Sequence, residues 1–275
     1  MTARRAICSF LVTAFVLVAW TAAQAQTTKP FEPTVGQAGK DVVWVPTPQA
    51  LVEKMLDLAK VTPQDFLMDL GSGDGRTVIT AAKRGLNAQG IEYNPDMVDL
   101  SNRNAAAAGV SAKAKFVKAD LFETDFSKAQ VITMFLLPSI NMRLRPQILK
   151  MRPGTRIVAN TFTMEDWQPD TSETIGGDCV SWCTAHLWIV PAKVEGTWRM
   201  PQGDLTLVQG HQYFKGWLFA NGATTVVEQG RVRGDTLNFT IGNVSYSGRV
   251  NGDVIEGSAA HEGATVNWTA TRKVQ

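Results

Sequence analysis

The chain has 275 residues, 44% of them hydrophobic and 19% charged, which excludes a disordered polymer and allows one large core or two modest ones. Formal net charge is +2, but Arg4 and Arg5 fall in a segment expected to be removed, leaving bases and acids balanced in the mature chain. Bulk electrostatics therefore gives no case for nucleic acid or for an anionic membrane surface as partner.

Residues 1–25 carry that arginine pair, then an apolar run from Ala6 to Trp20, then the small residues of Thr21-Ala-Ala-Gln-Ala25. This is the tripartite pattern of a secretory signal peptide, cleaved between Ala25 and Gln26, so the protein is expected to be exported, periplasmic or secreted. An uncleaved anchor is disfavoured because the run falls short of the roughly 20 apolar residues a spanning helix needs. No stable membrane insertion is expected after cleavage. Cys8 would be lost with the signal.

Residues 26–40 are rich in Pro, Gly, Thr and Gln without apolar periodicity, as in a flexible leader. The first folded domain is expected over 41–191. Thr47 as N-cap and Pro48 at the first helical position predict a helix through Lys60, with Leu51, Val52, Met55, Leu58 and Ala59 on one face. Strands and helices then alternate: strand 66–69, helix 75–84, strand 88–92, helix 95–108, strand 115–118, a turn over 121–125, strand 130–135, helix 140–151 and strand 155–161. A late strand over about 180–190 has no helix behind it. That alternation predicts an α/β fold, a mostly parallel Rossmann-like sheet with helices on both faces.

Beyond Pro191 the texture changes. Twelve of the 23 glycines lie between Gly196 and Gly263, separating short alternating runs such as Leu205-Thr-Leu-Val208 and Val266-Asn-Trp-Thr-Ala270. Residues 192–275 are expected to form a small antiparallel all-β domain, a meander, sandwich or barrel. Trp198, Leu205, Leu207, Phe214, Trp217, Leu218, Val226, Leu237, Phe239, Ile241, Tyr246, Ile255 and Trp268 supply apolar side chains for a core of its own.

The chemistry concentrates at Asp69-Leu-Gly-Ser-Gly-Asp-Gly75, a strand-to-helix junction whose Gly71, Ser72, Gly73 and Gly75 let the backbone turn tightly against a ligand. A dinucleotide fingerprint would need glycine where this chain has Arg76, and Asp69 is the wrong charge for a pyrophosphate. A carboxylate there suits the cationic amino-acid end of S-adenosylmethionine (SAM). Glu92, with Tyr93 beside it, ends the second strand, where a carboxylate can accept from both hydroxyls of a ribose. Asp120, followed by Leu121 and Phe122, ends the third and can hold an adenine. The mature chain keeps Cys179 and Cys183, either disulfide-bonded or free; with His186 they make a weak metal set, and no metal is expected.

These segments resemble the class I SAM-dependent methyltransferases over roughly residues 41–190. Within that class they are most similar to the bacterial relatives of the mitochondrial protein-lysine methyltransferases that modify the ATP synthase c subunit and the adenine nucleotide carrier. The resemblance is carried by Val45-Pro-Thr-Pro48, Asp69 to Gly75, Gly90-Ile-Glu-Tyr93, Ala119-Asp-Leu-Phe122, Phe135-Leu-Leu-Pro138 and Leu144-Arg-Pro146. It implies that Asp69, Gly71 and Gly73 line the methionine part of SAM, Glu92 holds the ribose and Asp120 the adenine. It also implies that Val45, Pro46 and Thr47, with Phe135, Leu136 and Pro138, flank the transferred methyl.

The expected activity is methyl transfer from SAM to an amine, on a protein lysine or a small amine, with no nucleic acid as partner. A lysine, of free pKa about 10.4, must be neutral to attack, and an apolar channel favours that form by desolvation. The reading from another class is an exported, non-catalytic envelope protein that binds SAM or a nucleoside.

Overall fold

The computed structural model describes residues 30–177 and 179–273; the expected signal peptide lies outside them. In chain order the first part holds α1 (Gln49–Leu58), β1 (Phe66–Leu70), α2 (Arg76–Lys83), β2 (Asn87–Glu92), α3 (Pro95–Ala107), β3 (Ala114–Lys118), β4 (Val131–Met134), α4 (Pro138–Ile148), β5 (Arg156–Asn160), β6 (Thr171–Thr174) and β7 (Thr184–Ile189). They build one seven-stranded sheet of order β3-β2-β1-β4-β5-β7-β6. Strands β3, β2, β1, β4 and β5 are parallel, and the β6–β7 hairpin runs β7 antiparallel to β5.

The strand order reverses between β1 and β4, and ligands of open α/β sheets bind beyond the carboxyl ends of the strands at such a point. Two apolar cores flank the sheet. Leu51, Val52, Met55 and Leu56 of α1 join Val78 and Ala82 of α2 on one side; Ile140, Leu144 and Ile148 of α4 join Trp167 and Trp188 on the other. The helix-period spacing of these side chains is what commits all three helices to the sheet.

Local details depart from the sequence expectation. Pro48, not Thr47, caps α1, and Thr47 is buried with its Oγ1 accepting a 3.3 Å hydrogen bond from Asn160 Nδ2. The last strand begins at Thr184 rather than near 180, because residues before it are taken by a loop that the Cys179–Cys183 disulfide closes. The segment from Phe31, expected as a leader, packs on the domain. Arg103 donates to Phe31 O at 3.1 Å, and across the segment's own turn Gly36 N–H donates to Trp44 O and Trp44 N–H to Gln37 O.

Strands β8 (Gly196–Met200), β9 (Gly203–Gly210), β10 (Tyr213–Ala220), β11 (Ala223–Arg233), β12 (Thr236–Ile241), β13 (Val244–Asn251), β14 (Val254–His261) and β15 (Ala264–Arg272) close into an antiparallel barrel. Closure removes both sheet edges. Trp198, Leu205, Phe214, Phe239, Tyr246 and Trp268 fill it, and Trp268 meets Phe239 and Tyr246 edge-on at 5.7 and 5.5 Å. Trp217 and Val226, expected in that core, instead face outward as a cross-strand pair, 43% and 61% exposed. Alternation along β10 gives Phe214, Gly216 and Leu218 the interior, so Trp217 can only take the opposite face.

The barrel docks on residues 164–170 of the first part. Arg231 donates to Asp170 at 2.8 Å, and Asp170 also accepts from Ile189 N–H, leaving its side chain fully covered. His211 stacks on buried Trp167 with ring centroids 5.6 Å apart, and Gln212 Nε2 donates to Gln168 O. His211 and Arg145 both hold Asp166, which pulls that exposed carboxyl down to about 2.

Candidate active site

A pocket opens at the carboxyl ends of β1, β2, β3 and β4. Of the residues singled out from sequence, Asp69, Gly71, Ser72, Gly73, Glu92, Tyr93, Asp120 and Leu121 line it, as do Val45, Pro46, Thr47, Phe135 and Leu136. Gly75 and Pro138 do not. Gly75 caps α2 in a left-handed conformation, and a side chain there would press 2.7 Å from the Phe116 ring, so it serves helix–sheet packing. Pro138 opens α4, where its missing N–H costs nothing.

Asp69, next to last in β1, is almost fully buried. Its Oδ1 accepts a 2.6 Å hydrogen bond from Thr133 Oγ1, and among the described residues no cation pairs with it. Burial, with like charge from Asp74 and Glu92, pushes its carboxyl up to about 7. A buried carboxylate in that state is a site for a cationic ligand group, which would return it to the charged form.

The glycine loop is not a phosphate cradle. Gly71 and Ser72 N–H both donate to Ile91 O, Gly73 N–H donates to Glu92 Oε2 at 3.0 Å, and Gly75 N–H donates to Ser72 O. With those amides already satisfied, the loop offers close approach rather than an anion nest. Gly73 is at φ +54°, and a side chain there would sit 2.7 Å from Trp44 Nε1. Ser72 Oγ is buried without a protein partner, and a methyl group at Gly90 would come within 2.4 Å of it.

Glu92 is held at both oxygens by backbone, Oε2 by Gly73 and Oε1 by Asn94 N–H at 2.9 Å. Its remaining lone pairs are fixed in direction, as a ribose diol requires. Asp120 accepts from Lys40 Nζ and from Phe122 N–H, and these hold its carboxyl below the usual carboxylate range. Lys40 also lies 4.6 Å over the Tyr93 ring. Residues 37–44, expected from sequence as a leader and a domain start, thus cover the pocket on its Asp120 side; no periodicity signalled this, because the contacts are between segments distant in the chain.

Two further pocket residues, Phe162 and Trp182, carried no sequence signal. Phe162 follows β5, where Asn141 Nδ2 donates to its carbonyl, and Trp182 sits inside the disulfide loop. Both line the pocket beside Phe135. The disulfide also removes Cys179 and Cys183 from any metal set with His186. That imidazole is hydrogen-bonded to Ser172 Oγ and Thr161 O, and burial lowers its pKa. Among the described residues no group of His, Cys, Asp and Glu could hold a metal ion.

The sequence model of the ANTKMT methyltransferase domain matches residues 69–171. The protein-lysine N-methyltransferase of Saccharolobus islandicus (strain REY15A) is 44% identical over 131 residues, 46% of this chain and 81% of that protein. The chain belongs to this methyltransferase family. The Homo sapiens lysine N-methyltransferase of the ATP synthase c subunit is 33% identical over 138 residues, 50% of this chain, and the chain spans 59% of that protein's length. A solved RNA methyltransferase from Salinibacter ruber, in complex with S-adenosyl-L-homocysteine, is 43% identical; the match covers 55% of this chain and 96% of that one, with a TM-score of 0.51.

The enzyme is therefore a SAM-dependent methyltransferase, and the pocket fits its cofactor. The uncompensated Asp69 carboxylate suits the ammonium of SAM, the backbone-fixed Glu92 suits a diol, and the close approach at Gly73 suits a ligand lying flat on the loop.

Proposed function

We propose that this protein methylates a lysine side chain of an acceptor protein, and that it does so after export and removal of residues 1–25. SAM, when bound, supplies a sulfonium methyl: the amine lone pair forms the N–C bond, the S–C bond breaks with its electrons leaving on sulfur, and the resulting ammonium gives a proton to water. The chain's own task is positioning and exclusion of water, which can supply about 7–11 kcal/mol. Asp69, Glu92 and Asp120 orient the cofactor; Val45, Pro46 and Thr47 line the same pocket.

The observation that carries the acceptor is the wall of the pocket from β4 onward: Met134, Phe135, Leu136, Leu137, Ile140, Phe162 and Trp182, all apolar. Such a wall desolvates an amine and favours the neutral, nucleophilic form, whereas a carboxylate there would keep it protonated. The Saccharolobus and human relatives, both lysine N-methyltransferases, point the same way. The Salinibacter relative is an RNA methyltransferase, but the basic side chains lining this pocket, Lys40 and Arg76, are already paired with Asp120 and Asp74. Phosphate binding needs free cations.

The test is methyl transfer from labelled SAM to a lysyl peptide library and to RNA, read by mass spectrometry on chain purified from its native host. Methylated lysines, on an enzyme whose N-terminus is Gln26, are expected. Labelled RNA with unmodified peptides would sink the acceptor assignment, and an intact Met1 the export.

A further inference from the structure

Phe135, Phe162 and Trp182 come from three separate loops, after β4, after β5 and before β7, and meet in the lining of the pocket. Their ring centroids lie 5.3 to 5.9 Å apart, with Phe135 and Phe162 stacked and Trp182 tilted against both. Trp182 is 39% exposed and has a backbone φ of +59°, a conformation unfavourable for a bulky residue. It belongs to none of the buried cores. The Cys179–Cys183 disulfide brackets it, and the whole loop lies beyond the 69–171 stretch that the family's sequence model matches. An exposed, strained tryptophan braced by a covalent link is costly for folding and returns no core packing, which is the pattern of a residue kept for binding.

We propose that these three rings are the alkylammonium subsite of the acceptor, with Trp182 its specificity-determining face and the disulfide its brace. The reading rests on the lysine assignment above and deepens it. An aromatic face attracts a cation within about 6 Å of its centroid but, unlike a carboxylate, accepts no strong hydrogen bond from it, so its pull toward the charged form is weak enough for desolvation by the same wall to offset. The amine can thus be held as ammonium at entry, give its proton to water before it attacks, and be held again as a cation after each methyl is added. Methylation strips hydration from the cation and enlarges its contact with the rings, so affinity should rise from lysine to trimethyl-lysine. The carboxylates lining the pocket, Asp41, Asp69, Asp74, Glu92 and Asp120, precede β4 in the chain, and Asp69 is already hydrogen-bonded to Thr133.

The experiment titrates the full mature enzyme, loaded with S-adenosyl-L-homocysteine, with Nα-acetyl-Nε-trimethyl-lysine amide and with its uncharged tert-butyl carbon isostere, followed by NMR. The cation should bind about fivefold or more tightly than the isostere. Trp182→Ala should remove that preference, Trp182→Phe should keep part of it, and opening the disulfide with a phosphine should reproduce most of the alanine effect. S-adenosyl-L-homocysteine affinity should stay the same throughout. Equal binding of cation and isostere, or an unchanged preference in Trp182→Ala, overturns the subsite while leaving the methyltransferase reading intact. Trp182→Ala weakening SAM but not S-adenosyl-L-homocysteine would also overturn it, since the rings would then be holding the sulfonium. Loss of S-adenosyl-L-homocysteine binding by the parent enzyme itself would instead bring down the cofactor site.

Discussion

The sheet end and the barrel solve opposite problems. At the sheet end, buried polar groups are left incompletely matched: Asp69 lacks a cation and Ser72 Oγ lacks a partner. In the barrel, strands pair with one another all the way round and aromatic rings fill the interior. No residue beyond Trp182 lines the pocket among the described residues. Gln212 Oε1 and Arg231 Nε stay unpartnered where the barrel meets the first part, so what marks the part that binds is an unpaired buried carboxylate lining an open pocket, while the strand pairing of the barrel marks the part that supports or recruits.

The largest effect is expected at Asp69. Replacing it with Asn removes the charge that meets the SAM ammonium and should weaken SAM about a hundredfold by calorimetry. The same change should stabilise the empty protein at neutral pH. Because folding raises the Asp69 pKa from 3.8 to about 7, its protonated form favours the native state. Stability is then fullest below about pH 4 and falls as pH rises to about 7, by about 4 kcal/mol. Thermal melts at pH 4.5 and pH 8 should show this loss in the parent and not in Asp69→Asn. SAM affinity should run the other way, weakening as pH drops below about 7. A flat profile in both measurements would place the cofactor ammonium elsewhere.

Next is Glu92→Ala, which leaves two ligand hydroxyls and the Gly73 and Asn94 N–H groups without their acceptor. A charge-assisted hydrogen bond is worth about 1.5–3 kcal/mol, so SAM should bind at least tenfold more weakly. Unchanged affinity would remove the ribose assignment.

A smaller effect tests the separation of the two regions. Arg231→Ala takes the partner from a covered carboxylate, Asp170, and should cost about 1–3 kcal/mol in denaturant unfolding while SAM affinity stays within about threefold. Truncation after Ala192 should likewise keep SAM binding but lower the melting temperature, because it uncovers Trp167 as well. Loss of SAM binding in Arg231→Ala would mean that the barrel shapes the pocket. Smallest of all, Trp217→Ser on the barrel's outer face should change stability by about 0.5 kcal/mol or less. A larger loss in purified protein would show that this face is covered.

Much of the cofactor side is legible in the sequence. Asp69, Glu92 and Asp120 each lie within two residues of a strand's end, and the first two of those ends are marked locally by an apolar run giving way to glycine or proline. Once the strands are parallel, those ends must lie on one edge of the sheet. An antiparallel all-β domain followed from alternation and regular turns, but its closure into a barrel rather than a sandwich or meander did not. Its interior did not: Trp217 and Phe214 are equally apolar, and only the register of β10 against β9 and β11 decides which one faces in.

What the sequence by itself determined is the set of strand-end carboxylates, the tight loop between them and the change from helix-bearing to all-β texture at about residue 192, because each is written in neighbouring residues. What only the tertiary structure decided is which distant segments meet: Lys40 on Asp120 across 80 positions, Asp170 under Arg231, and Phe135, Phe162 and Trp182 ring to ring. Those contacts arise from chain reversal and sheet order, which bring together residues with no periodic relation, and the disulfide loop that carries Trp182 acquires its place only when β7 pairs with β5.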